Sequence, residues 1–191
     1  MRIGRSHPLR RLFTELVERH FFDDVQVRDP RVAGYVSELL TDFTHVDNLY
    51  RIRNVRGQRL DDVGEMLLES DPLGPEGSFD RERAVRKHVG DYTLFMTGMF
   101  PESVAAGRRR RRAFPRLDAL VDFVQAGKES YAIVSSFNQF EYRQEAPLFR
   151  RLSQSFELCV YGLNLVKQDL ERFQADYYRR LEATLEPEGA S

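Results

Sequence analysis

From Tyr92 to Pro101 the chain runs for ten residues without a charged side chain, and it does so in a protein where 31% of residues are Asp, Glu, Lys or Arg. Val85, His88, Tyr92, Phe95 and Met99 recur at helical spacing along this stretch. Gly90, Leu94, Thr97 and Gly98 form a second, mostly small stripe that lets neighbouring backbones come close. A helix apolar on one face and small on another has no side left for water. It therefore belongs at the centre of a domain, started by a cap at Ser78 or Asp80 and interrupted at Pro101.

The flanking segments read as helices that cover it. Ser6 is a cap ahead of Pro8, followed by Leu9, Leu12, Phe13, Leu16 and Val17 at steps of three and four. Asp29 and Pro30 open a second helix whose stripe, Val32, Val36, Leu39, Phe43, Val46 and Tyr50, extends through about six turns. A polar turn at Asn54 to Gly57 leads to a short helix carrying Leu60, Val63, Met66 and Leu67, which Asp71 and Pro72 end. Patterning resumes at Leu117, Leu120, Val121 and Val124 and continues to Tyr131 and Val134. From Pro147 a long stripe follows: Leu148, Leu152, Phe156, Cys159, Leu163, Val166, Leu170, Phe173 and Tyr177, with Gly162 as the point where it bends or splits. Phe22 to Val27 and Tyr131 to Val134 are the only brief strand-like runs, and both adjoin helical patterns.

With 191 residues and 41% hydrophobic content, one core is enough. The expected fold is an all-α, single-domain, irregular or orthogonal bundle of about six to eight helices over residues 1–185, with an exposed Arg-rich connector at 103–114 and a frayed tail at 186–191. A net charge of −1 gives no overall attraction to nucleic acid. The single cysteine, Cys159, lies on an apolar stripe and forms no intrachain disulfide. That suits a reducing cytoplasm. Met1 to Arg11 lacks the apolar run of a signal peptide, and no apolar stretch is long enough for membrane insertion.

No phosphate loop, dinucleotide fingerprint, paired Cys-x-x-Cys or His-Glu-x-x-His occurs. The best constellation for chemistry is Asp42 with His45 and His88 with Asp91. Each pair is three residues apart on one helical face, as divalent-metal sites between facing helices require, with Glu38, Glu65 and Glu69 as further oxygen donors. No Glu-x-x-His completes a di-iron pattern, and a histidine among Val85, Tyr92 and Phe95 is the ordinary hydrogen-bonded core histidine. No cofactor is therefore expected, with the metal as the alternative. Arg108, Arg109, Arg110, Arg111 and Arg112 form a run able to neutralise phosphates. No interleaved aromatic residue is present to stack on bases, so a solvated connector is the plainer account.

The segment His88-Val89-Gly90-Asp91-Tyr92, Leu94-Phe95, Gly98 and Phe100-Pro101-Glu102, with Asp122-Phe123, Gly127 and Ser130-Tyr131 after it, resembles a family of uncharacterised bacterial helical proteins. The resemblance covers about a quarter of the chain, and implies a bacterial, cytoplasmic, helical protein without indicating an activity. The residues themselves lead to a non-catalytic binding or assembly protein, a homodimer or a partner of another protein, that works through the C-terminal apolar stripe and its aromatic neighbours.

Overall fold

The computed structural model describes residues 7–54, 56–71, 73, 78–107 and 116–185, excluding the side chains of 107, 116–119, 177, 178 and 180–185. Among the described residues there are nine α-helices and no strand. One isolated bridge, Arg53 to Arg59, closes the turn in which Gly57 takes φ 75°.

Helix α1 (Pro8–Arg19) is capped by His7, whose ring accepts from the Leu9 amide; this is one residue later than the serine cap anticipated, and Ser6 is outside the described residues. The helix widens into a π-turn, His20–Asp24, before the chain reverses through Gln26 at φ 60°. Asp29 caps α2 (Pro30–Phe43) by accepting from Arg31.

The sequence stripe carries on to Tyr50, but the helix stops seven residues earlier, at Phe43. The Thr44 hydroxyl donates to the Thr41 carbonyl at 2.7 Å, and His45 turns to an extended conformation as the cap of a four-residue α3 (Val46–Leu49). A side-chain donor competing for a helix carbonyl favours such an ending. Val46, expected on the core stripe, is 59% exposed as a result.

Helix α4 (Val63–Leu68) is capped by Asp62, and α5 (Phe79–Met99) by Ser78. Every residue of α5 from His88 to Phe95 is buried, as are Thr97, Gly98 and Met99, with α7 (Arg116–Ser136) and α9 (Phe156–Leu185) forming its largest contacts. The expected central helix is in place. A Cβ on Gly90 would come within 2.5 Å of the Tyr131 ring, and one on Gly98 within 2.5 Å of Leu163, so the small stripe is where α7 and α9 press closest.

Pro101 begins a further helix, α6 (Pro101–Gly107), so that residues 103–107, expected in the exposed connector, are helical and Val104 is buried. A 3-10 turn (Phe140–Gln144) leads into α8 (Ala146–Gln154). The break in the C-terminal stripe falls at Ser155, between α8 and α9. Gly162 leaves α9 unbroken and makes room for Phe21 of the π-turn, whose ring lies 2.5 Å from where a Cβ would stand.

The main core joins α1, the π-turn, α2, α5, α7, α8 and α9 around Phe21, Leu40, Tyr131, Phe149, Phe156 and Leu163. A smaller one, Leu60, Val63, Met66, Val85, Val89 and Tyr92, seats α4 on α5. No helix among the described residues is long and apolar enough to cross a membrane. The tail from 186 and the arginine run lie outside the described residues.

Candidate functional site

The centre of α5 buries a charge. Asp91 is 6% exposed, and its carboxylate receives the Tyr35 hydroxyl at 2.6 Å and the Tyr131 hydroxyl at 2.8 Å on Oδ1, with Lys87 Nζ at 2.9 Å on Oδ2. Lys87, one turn before Asp91, also lies over the Tyr35 ring at 5.1 Å and near the Phe149 ring at 5.8 Å. Burial, and then the Asp91 charge, push both phenol pKa values far up, so both hydroxyls stay protonated donors. A carboxylate supplied with three donors is the arrangement in which a buried charge is tolerated. With every donor committed to Asp91, the cluster fastens α2, α5 and α7 together.

His88 is 3% exposed. Its ring bonds the Leu49 carbonyl at the end of α3, while Nε2 is buried without a partner, near the rings of Phe43 (6.0 Å) and Tyr92 (6.3 Å). Burial, with smaller contributions from Arg51 and Lys87, drives its pKa down to about 4 against the opposing pull of Asp91. The imidazole is thus neutral at ordinary pH.

The four residues singled out as metal donors are distributed among separate tasks. Asp42 is exposed on α2, His45 is the half-buried α3 cap with its own Nε2 unpartnered, His88 holds Leu49, and Asp91 is saturated by the tyrosines and Lys87. Glu38 pairs with Arg10 and Glu69 with Arg81, while Glu65 is exposed on α4. Among the described residues no group of three or more His, Cys, Asp or Glu side chains is placed to hold a metal. Cys159 is fully buried, its thiol pushed up to about 12 by that burial, and serves as core packing.

The C-terminal stripe behaves differently along its length. Phe156, Cys159, Leu163 and Val166 are completely buried, and Leu170 partly so. From residue 171 to 176 every residue is exposed, including Phe173 at 49%. Helix α9 continues to Leu185, 15 residues beyond Leu170, a length of about 22 Å at about 1.5 Å per residue. On its packed half, Leu158 and Tyr161 are also about half exposed.

A second ionic cluster sits where α9 leaves the body. His20 Nδ1 is 2.5 Å from Asp24 Oδ2, and His20 Nε2 is 2.9 Å from Asp169 Oδ2. Arg19 pairs with the same Asp169 oxygen, and Arg172 approaches the other at 3.5 Å. The spacing of His20 and Asp24 was available in the sequence as a one-turn pair. Asp169, 149 residues away, carried no local signal. Comparison of the chain with family models, curated proteins and solved structures gives no match.

Proposed function

We propose that this chain is a binding or assembly protein of a reducing compartment, and that it pairs with a second copy of itself through the part of α9 beyond Leu170. The observation that carries this reading is the change along α9 from a fully buried stripe to exposed residues at 171–176, with Phe173, the next apolar position of the stripe, 49% exposed. In sequence, Tyr177, Leu181 and Leu185 extend the step of four from Phe173. An isolated stretch of this length is a marginal helix in water, and packing of an apolar face is what ordinarily stabilises one.

Charge favours a like partner. Residues 171–185 carry Glu171, Asp176 and Glu182 against Arg172, Arg179 and Arg180, so two copies meet without net repulsion. An antiparallel arrangement brings the acidic start of one against the arginines of the other. Size-exclusion chromatography with light scattering at tens of micromolar tests the reading. The expected result is a dimer that Phe173→Glu converts to monomer with the helical circular dichroism retained. A wild-type chain that is monomeric throughout the range and has no protein partner overturns it.

A further inference from the structure

Two stretches of the sequence hold charge of opposite sign. Residues 60–80 contain seven acids and no Lys, Arg or His, whereas residues 103–117 contain six arginines, five of them at Arg108 to Arg112, and no acid. Elsewhere the chain carries 23 basic and 23 acidic side chains, so its separated charge lies in these two stretches.

The acidic stretch offers a surface to match. Helix α4 buries Val63 and Met66 against α5 and turns Gly64, Glu65 and Leu68 outward, with Leu68 78% exposed. Glu65, Leu68 and Glu69 share one face at steps of three and four, and form one wall of a cleft of about 430 Å³. Gln58, Arg59 and Leu60 stand opposite. Arg59, the cleft's own cation, pairs with Asp47, and Glu69 gives one oxygen to Arg81. Glu65 has no ion pair among the described residues. A ligand that suits this cleft carries a cation on an apolar stem: a guanidinium lies across Glu65 and Glu69 while its methylenes cover Leu68.

The arginine run is tethered within reach. Phe123 of α7 packs against the apolar cluster that includes Leu60 of the cleft, and the start of α7 at Arg116 is seven residues away, about 10 Å along the helix. The eight residues from Arg116 back to Arg108 span up to about 26 Å at about 3.3 Å each. We infer that the run Arg108 to Arg112 of the same chain occupies the α4 cleft, its guanidinium groups on Glu65 and Glu69 and its stems over Leu68. Single exposed ion pairs are weak, but a tethered segment meets its site at an effective concentration near millimolar, which a second copy at micromolar concentration does not match. The contact makes no use of α9 and is independent of pairing there.

The test uses the full ¹⁵N-labelled chain with a nitroxide on Ala113→Cys, beside the run; the other thiol, Cys159, is fully buried and escapes the label. Paramagnetic broadening is expected at the amides of Gln58, Arg59 and residues 65–69 in about 0.02 M salt. It should fall at least threefold in about 0.5 M salt, where screening is nearly complete beyond a few ångströms. Glu65→Lys, at an exposed position that leaves the packed face of α4 intact, should cause the same loss with helical circular dichroism retained. A sample mixing ¹⁵N chain without nitroxide and nitroxide chain without ¹⁵N should show no broadening. Absence of broadening at low salt, or broadening that ignores both salt and Glu65→Lys, overturns the docking. Broadening found only in the mixed sample gives the cleft to the run of a second copy and overturns the assignment to the same chain. The pattern should persist in Phe173→Glu, so failure of the α9 pairing leaves this contact standing.

Discussion

Replacing Asp91 should destabilise this protein by an amount that depends on what is left for its donors. In Asp91→Ala the Tyr131 hydroxyl, on a residue with no exposed surface, loses its acceptor, and the Tyr35 hydroxyl loses the same oxygen. Each orphaned buried hydroxyl costs about 1–3 kcal/mol, whereas Lys87, one-third exposed, turns toward water at little cost. The expected sum is about 3–5 kcal/mol, a large part of the roughly 5–15 kcal/mol that holds a domain together. For a chain of this size that lowers Tm by roughly 10–15 °C.

Asp91→Asn keeps an oxygen for both hydroxyls and gives up only the charge facing Lys87, so its cost is about 1–2 kcal/mol. Combining Asp91→Leu with Tyr35→Phe and Tyr131→Phe removes every partner together and should regain much of the loss. Urea denaturation followed by circular dichroism measures all of these, provided the m-value stays constant. A cost below about 1 kcal/mol for Asp91→Ala, or no recovery in the triple variant, refutes the account of the cluster as the fastening of α2, α5 and α7.

His88 sets an acid limit. Its pKa of about 4 in the fold is below the ordinary 6.5, so the unfolded chain takes the proton first. Its contribution is complete above pH 6.5 and is lost as pH falls toward 4. The loss reaches about 3 kcal/mol at the bottom of that window, and His88→Leu should flatten the corresponding part of the stability–pH curve relative to wild type. Gly98→Ala drives a methyl to 2.5 Å from the Leu163 Cβ, an atom held by the α9 backbone. It should lower stability by about 1–3 kcal/mol in thermal melts, and a neutral result contradicts the close approach of α5 and α9. Phe173→Glu, by contrast, lies on an exposed position and should leave the melt of the isolated chain within about 0.5 kcal/mol while abolishing the dimer in light scattering.

Local pattern was enough to identify α1, α2, α4 and α5 and the caps of α2 and α5, because helix starts and apolar stripes are written within one turn of sequence. The burial of α5 was equally legible: a stretch without charge and with glycines at helical spacing admits no exposed side. The His88–Asp91 spacing and its placement on that helix could be read too, but what each side chain bonds could not. Tyr35 and Tyr131 are 56 and 40 residues from Asp91, and nothing local distinguishes them from other core aromatics. The same holds for Asp169 beside His20.

Where a stripe is continuous in sequence, competition from side chains and neighbours decides whether the helix is. The Thr44 hydroxyl ends α2 ahead of its pattern, while Phe21 settles against Gly162 and α9 runs straight past it. Sequence by itself therefore determined that this chain is helical and which helix lies inside, since both depend on periodicities shorter than one helix. Only the tertiary structure decided that α9 is exposed from Glu171 to Asp176 and that a histidine stands between two acids just before that stretch. Those facts depend on the distances between segments far apart along the chain.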